Sequence, residues 1–273
     1  NYVRSVLRDQ YGFMWFATLN GLNRYDGYQF KKYTTTQLGA YNNDIESIAE
    51  DAAGNIWIKG PVSYYIYDRE QDKLENKIQP VLNKYGITGE VSYLTVDKDY
   101  NLWCTVMDTL FHYDFAKSKL HTFQLPGKEK MQQVVCRRSC AYLLFSNGEI
   151  ARIDSNFQHI RPETRRTISS GLQYNLYIDT VDRLWFYASH ASGLQCYDTN
   201  QKQWIDYVGR QEVTDALITA VMDDGDGNLW IGTDDKGVYI SYNQDKQLVR
   251  INKKSEIPFY DYKNEPEDTG TGG

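Results

Sequence analysis

Apolar residues recur along this chain in short runs, each broken by a polar turn. The clearest example is Asp224-Gly225-Asp226-Gly227-Asn228-Leu229-Trp230-Ile231-Gly232-Thr233, followed by Gly237 and then Val238-Tyr239-Ile240-Ser241-Tyr242. An Asp is followed three positions later by Gly and six positions later by Trp. The runs on either side are β-branched and aromatic, as strands prefer. Asp hydrogen-bonds its own backbone two residues on, and Gly takes positive φ without steric cost, so the polar break reads as a tight turn. The stretch is therefore strand, turn, strand, turn, strand.

The same device recurs at Asp9-Gln10-Tyr11-Gly12-Phe13-Met14-Trp15 and Asp51-Ala52-Ala53-Gly54-Asn55-Ile56-Trp57. Asp97 to Trp103 has Tyr100 in the Gly place, and Asp179 to Trp185 has Asp182 there. A second marker follows each Trp: Tyr25-Asp26, Tyr67-Asp68, Tyr113-Asp114, Tyr197-Asp198 and Tyr242-Asn243. The Trp spacings are 57 − 15 = 42, 103 − 57 = 46, 185 − 103 = 82 and 230 − 185 = 45. The value 82 is two periods. A degenerate copy fills the gap at Tyr142-Leu143-Leu144-Phe145-Ser146-Asn147-Gly148-Glu149-Ile150-Ala151-Arg152-Ile153-Asp154, with Leu143 or Leu144 in the Trp place.

Six copies at about 40–45 residues match the length of a four-stranded propeller blade. The expected fold is an all-β propeller over residues 1–255, with repeats at 1–39, 40–85, 86–128, 129–170, 171–212 and 213–255 and a connector or tail at 256–273. The period alone admits a closed six-bladed ring or part of a seven-bladed one. In the second copy the strands fall at 45–50, 55–59, 64–67 and 73–78. The position three before each turn Asp is apolar: Val6, Ile48, Leu94, Leu176 and Val221. Those residues and the tryptophans are expected to pack between blades. Connectors at 34–43, 79–90, 127–133, 161–171 and 209–215 and the turns after the Trp strands gather on one face, where propellers carry function. An open ring would leave apolar faces on the first and last blades and self-associate.

Composition changes the picture little. The chain has 273 residues and a net charge of −6, which argues against non-specific nucleic-acid binding. No run of 18 apolar residues suggests a membrane span. Cys104, Cys136, Cys140 and Cys196 read as buried or half-buried thiols, with a Cys136–Cys140 bridge open to an oxidising compartment.

Asp-x-x-Gly-Asn-[Ile/Leu]-Trp-Ile followed by Gly-[Leu/Val]-x-x-Tyr-[Asp/Asn] resembles the two-component regulator propeller repeat. Asn20-Gly21-Leu22-Asn23-Arg24-Tyr25-Asp26-Gly27 after Phe13-Met14-Trp15 is similar to the opening repeat of such sensors. The resemblance covers residues 1 to about 255, with the fourth copy departing from it. It implies the periplasmic sensor region of a Bacteroides-type hybrid two-component system, which recognises glycan fragments while a parent protein carries the histidine kinase and DNA-binding regulator. A homodimer of that parent is also admitted.

The sequence holds no His-Glu-x-x-His, Gly-x-Ser-x-Gly, phosphate loop or dinucleotide fingerprint, so no catalytic residue, metal ligand or cofactor is assigned. Asp224, Asp226 and Asn228 alternate like a calcium loop, with Asp235 at the twelfth place, but Leu229 stands where Gly is required. The turn reading is preferred. Of His112, His121, His159 and His190, only His190 sits in a face loop. Candidate contacts for an oligosaccharide or a partner domain are Tyr41, Tyr64, Tyr85, His190, Asp234 and Lys236, which combine rings with polar tips and hydrogen-bonding groups. Two rival classes stand beside the sensor. One is a propeller lyase of the streptogramin type, which requires a face His and acidic residues around a metal. The other is a protein-interaction scaffold.

Overall fold

The computed structural model describes residues 2–127, 129–137, 140–154, 156–205, 213, 215–242 and 247–251. The expected tail at 256–273 and Asn243 of the last Tyr-Asn pair lie outside them. The chain divides into two compact units, Asn1–Ile168 and Ser169–Gly273.

The first unit holds four sheets, each of four antiparallel strands. They are β1 (Val3–Arg8), β2 (Met14–Thr18), β3 (Gly21–Tyr25) and β4 (Phe30–Tyr33); β5 (Ser47–Glu50), β6 (Ile56–Lys59), β7 (Tyr64–Asp68) and β8 (Lys73–Glu75); β9 (Val91–Val96), β10 (Leu102–Val106), β11 (Thr109–Asp114) and β12 (Lys119–Gln124); and β13 (Met131–Arg137), β14 (Cys140–Phe145), β15 (Glu149–Ile153) and β16 (Ile160–Arg165). The second unit holds two more: β17 (Tyr174–Ile178), β18 (Arg183–Ala188), β19 (Gln195–Asp198) and β20 (Gln203–Ile205), then β21 (Ile218–Asp223), β22 (Leu229–Thr233), β23 (Val238–Tyr242) and β24 (Gln247–Ile251). Strands pair in chain order within every sheet. The fold is that of a β-propeller with four-stranded antiparallel blades.

The recurring Asp and Trp are bonded to each other. One oxygen of Asp9 accepts the backbone N–H groups of Tyr11 and Phe13, and the other accepts the indole N–H of Trp15 at 2.9 Å. Asp51, Asp97, Asp179 and Asp224 do the same for Trp57, Trp103, Trp185 and Trp230, at 2.8, 2.8, 2.8 and 3.2 Å. A six-residue separation brings the carboxylate, at the end of the first strand, level with the indole on the second. The turn residue three after the Asp is left-handed every time: Gly12, Gly54, Tyr100, Asp182 and Gly227 have φ of 88°, 82°, 61°, 64° and 88°. Tyr100 and Asp182 adopt without glycine what Gly adopts freely, at a cost of about 1 kcal/mol each.

Blades pack through two kinds of face. The Trp-bearing face of one blade meets the opposite face of the next. Trp15 packs with Ile48, Ile58 and Tyr67, and Trp57 with Leu94, Leu102 and Cys104. Trp103 packs with Val134, Leu143 and Ala151, and in the second unit Trp185 packs with Val221, Ile231 and Tyr239. Tyrosine hydroxyls stitch the same joints by accepting backbone N–H groups: Tyr64 from Leu94, Tyr93 from Val134 and Tyr177 from Asp223.

Four expectations are corrected. In the fourth copy the Trp place falls to Tyr142: Val134 pairs with Leu143 as Leu94 pairs with Cys104, so Tyr142 stands where Trp103 does, while Leu143 lies on the other face. The connector at 79–90 is not all loop. Gln79–Lys84 forms helix α1, with Pro80 in its first turn, where a missing N–H costs nothing, and with Leu82 buried in the core. Cys136 and Cys140 do not bridge; all four cysteines are free, and the Cys140 sulfur accepts a hydrogen bond from Arg152. Finally, the packing positions are not uniform. Ile48, Leu94, Leu176 and Val221 are 2–8% exposed, but Val6 is 53% exposed, and Trp230 is only half-buried.

Candidate functional site

The two ends of each sheet differ in what they leave for a ligand. At the Asp turns the polar groups are engaged. Besides the Asp–Trp bonds, Arg69 reaches the carboxylates of Asp9 and Glu50 and the carbonyl of Gly54 while its guanidinium lies 4.4 Å from the Tyr11 ring centre. Asp72 receives Arg24, Lys31 and the hydroxyls of Tyr33 and Tyr67, and its carboxyl is held below the usual range despite some desolvation. These are joints between blades, not open sites.

At the opposite end lie five of the six candidates, while the Tyr85 side chain reaches back to the turn end. In the first unit Tyr64 starts β7 and is packed: its hydroxyl takes the Leu94 N–H, and burial raises its pKa. Tyr85 follows α1, packs tilted on Tyr113 and edge-on to Phe115, and accepts a hydrogen bond from Asn55. Burial pushes its pKa up to about 12. Tyr41 is the open ring of the three, 100% exposed.

The second unit brings His190 and Asp234 together. The β18–β19 loop carries His190, left-handed at φ 57°, and the β22–β23 loop carries Asp234. His190 Nδ1 lies 2.5 Å from Asp234 Oδ2, and both side chains are substantially exposed. Main-chain bonds hold both loops. The N–H of His190 donates to the Ile218 carbonyl at 2.8 Å, that of Asp234 to the Leu217 carbonyl at 3.0 Å, and that of Ile218 to the Ala191 carbonyl at 3.0 Å. Asp235 Oδ1 accepts the Leu217 N–H. The Lys236 N–H donates to Thr233 Oγ1, and its carbonyl accepts Arg250 Nε at 2.6 Å. Beside His190, Ser189 Oγ accepts from Asn175 at 2.7 Å. The outcome is a His190–Asp234 contact on two backbone-held loops, with Asp235 bonded to the Leu217 N–H and the Asn175–Ser189 pair adjacent to His190 in sequence. Asp235 was weighed from the sequence only as the twelfth place of a calcium-like loop, and the Asn175–Ser189 pair was not singled out; the doubled Asp at 234–235 in a face turn was the available signal.

Among the described residues no group of three His, Cys, Asp or Glu side chains is placed to hold a metal ion, and no helix is long and apolar enough to cross a membrane. His112 belongs to the core. It is 2% exposed, stacks at 4.0 Å on Trp103 and against Phe157, and burial pulls its pKa down to about 4.

Residues 213–235 match the family model described as the two component regulator propeller. No curated protein matches the chain. Among solved structures, the extracellular domain named for hybrid two component system BT3049 of B. thetaiotaomicron superposes with a TM-score of 0.63 at 21% identity, over 92% of this chain and 35% of that one. The corresponding domain of BT4673 from the same organism gives 0.64 at 22%, over 94% and 34%. The chain thus spans about a third of the length of those domains. Virginiamycin B lyase from Staphylococcus aureus gives 0.61 at 13%, over 92% and 85%. Taken with the blades above, the structural likenesses establish a β-propeller fold, and residues 213–235 carry a two-component regulator propeller repeat.

Proposed function

We propose that this chain is an extracytoplasmic sensing propeller of a two-component signalling protein, and that it binds an oligosaccharide without transforming it. The observation that carries the reading is the His190–Asp234 surface. Its side chains are exposed while the loops beneath them are held by main-chain bonds, so the donors and acceptors are presented in a fixed arrangement. Such preorganisation favours a ligand rich in hydroxyl groups, because few rotamers must be frozen on binding. The repeat at 213–235 and the likeness to extracellular sensor domains supply the signalling context. Lys236 extends the same surface, and Tyr41 offers a separate open ring on the first unit. Tyr64 and Tyr85 act through the packing that supports their loops.

Calorimetry against a panel of glycan fragments tests this. His190→Ala and Asp234→Ala are each expected to weaken the bound fragment by at least ~10-fold, the loss of about one charge-assisted hydrogen bond. Binding unchanged in both variants would remove the site assignment. The lyase likeness supports one rival outcome: substrate turnover that requires a divalent metal and disappears in His190→Ala would make this an enzyme.

A further inference from the structure

Across the first hairpin of each Trp-bearing blade, one residue stands opposite the Trp. Leu7 faces Trp15, Thr95 faces Trp103, Tyr177 faces Trp185 and Met222 faces Trp230. The second blade puts Ala49 opposite Trp57, with Ser47 opposite Lys59 on the same face. These small side chains go with a change in the stitching hydroxyl. Tyr93 and Tyr177 lie on first strands, β9 and β17, and take up room in their joints as they reach the next blade. Between the second and third blades, Tyr64 reaches Leu94 from the third strand, β7, which leaves β5 to carry small residues. A notch results, lined by Ser47, Ala49, Trp57, Lys59, Tyr64 and Leu94. Its free volume is about 20 Å³, room for one methyl-sized group and not for a sugar ring.

We propose that this notch takes the methyl of an acetamido group, and that the oligosaccharide bound by this chain therefore contains an N-acetylhexosamine. The inference rests on the oligosaccharide reading above and adds a contact in the first unit. The lining selects the group. Ala49, Leu94 and the rings of Trp57 and Tyr64 give apolar walls. A methyl gains by burial against them, whereas a hydroxyl would lose its hydrogen bonds. Two donors for the acetamido carbonyl belong to the same lining, the exposed Ser47 hydroxyl and the Lys59 ammonium. Lys59 is bonded to Glu46 Oε2 at 2.8 Å, so its charge is already matched. A neutral carbonyl suits that pair better than the carboxylate of an acidic sugar, which would also face Glu46.

Saturation-transfer NMR with N-acetylglucosamine and N-acetylgalactosamine, against glucose and galactose, reads the methyl directly. One acetylated sugar is expected to bind at least ~10-fold more tightly than its plain counterpart, the combined effect of a buried methyl and a hydrogen bond. Its methyl protons should be the most strongly saturated. Ala49→Leu fills the notch with the residue that the first blade already carries opposite its Trp, where Leu7 packs against the core. The methyl signal should then be lost, with thermal unfolding at or above the wild-type temperature. Ser47→Leu, at an exposed position, closes the notch from its rim and should give the same loss. His190→Ala should leave the methyl signal in place. Equal binding of acetylated and plain sugars, no saturation of either acetylated sugar, or a methyl signal that survives both blocking variants would overturn the proposal. Fragment binding lost in His190→Ala but unchanged in Ala49→Leu would overturn it too, while leaving the earlier site standing. The reverse pattern, loss in Ala49→Leu alone, would uphold the notch and remove the His190–Asp234 site.

Discussion

Within each unit, the turn end and the loop end of the sheets obey opposite rules. At the turn end one arrangement occurs five times: a carboxylate whose first oxygen caps a turn and whose second holds an indole, with Asp–Trp distances of 2.8 to 3.2 Å. At the loop end the connections diverge, although the β2–β3 and β22–β23 turns share a Thr hydroxyl bonded to a Gly carbonyl. One holds a short helix, another an exposed Tyr41, another the His190–Asp234 pair. Repetition marks the residues that build a blade, and departure from it marks residues free to meet something else. The contrast predicts that perturbing the turn end costs stability, and that perturbing the loop end costs recognition.

The largest effect is expected at Trp57, which is nearly fully buried between the second and third blades. Trp57→Ala should lower unfolding stability by about 3–5 kcal/mol in denaturant melts, through lost burial and the cavity left behind. A loss under about 1 kcal/mol would break the comparison, since the repeated residue would then not be structural.

The pH dependence comes next. His112 is buried with both ring nitrogens unpartnered, and its Nε2 lies 4.0 Å from Asp97. Its folded pKa of about 4 stands below the ordinary 6.5. The unfolded chain therefore binds a proton there first, and stability is lost as pH falls from about 6.5 to about 4, then levels off. The difference converts to ~3 kcal/mol. Asp51 and Asp97, whose pKa values burial raises, act in the opposite direction. The contribution is isolated by comparing wild type with His112→Phe, which keeps the stack on Trp103. Melting curves at pH 7 and pH 4.5 should differ less for the variant. An equal acid loss in both would place the sensitivity elsewhere.

Smaller still is the Tyr64 hydroxyl. Tyr64→Phe keeps the ring and orphans the Leu94 N–H, so a loss of about 1–2 kcal/mol is expected. It should leave ligand affinity nearly unchanged, which sharpens the distinction between a loop residue that supports and one that contacts. Asp234→Ala marks the other extreme. Thermal stability should shift within about 0.5 kcal/mol, as for an exposed substitution, while glycan binding falls.

The fold was legible because its grammar is local. Asp, Gly and Trp at fixed offsets, and Tyr-Asp ten to twelve residues on, mark two turns of each blade without reference to the rest of the chain. The closing Asp caps its own turn, as Asp26 does for the N–H groups of Tyr28 and Gln29. What local offsets do not carry is register and neighbourhood. Tyr142 takes the Trp place because the first hairpin of the fourth copy is one residue shorter, Val134 to Leu143 against Leu94 to Cys104, and without the Asp nothing local marks that offset. Tyr64 and Tyr85 read as loop aromatics, yet their hydroxyls meet partners thirty residues away in sequence, Leu94 and Asn55. His190 was visible as a loop histidine, but the contact with Asp234 spans forty-four residues and depends on two loops of different blades meeting.

The bond between each turn Asp and its Trp also bears on how the chain folds. It joins residues six apart, and the hairpin around it closes within about a dozen more, so the contact costs little loop-closure entropy. Each blade can thus satisfy its largest polar-edged ring before any neighbour arrives. Such short-range contacts favour fast formation. The first and second strands of the blades that carry the pair are expected to gain amide protection together and early, with the long joints made by Tyr64, Tyr93 and Tyr177 appearing later. Blades that complete the Asp–Trp bond internally leave fewer polar groups to be matched at the joints, which eases duplication of a repeat beside its neighbours.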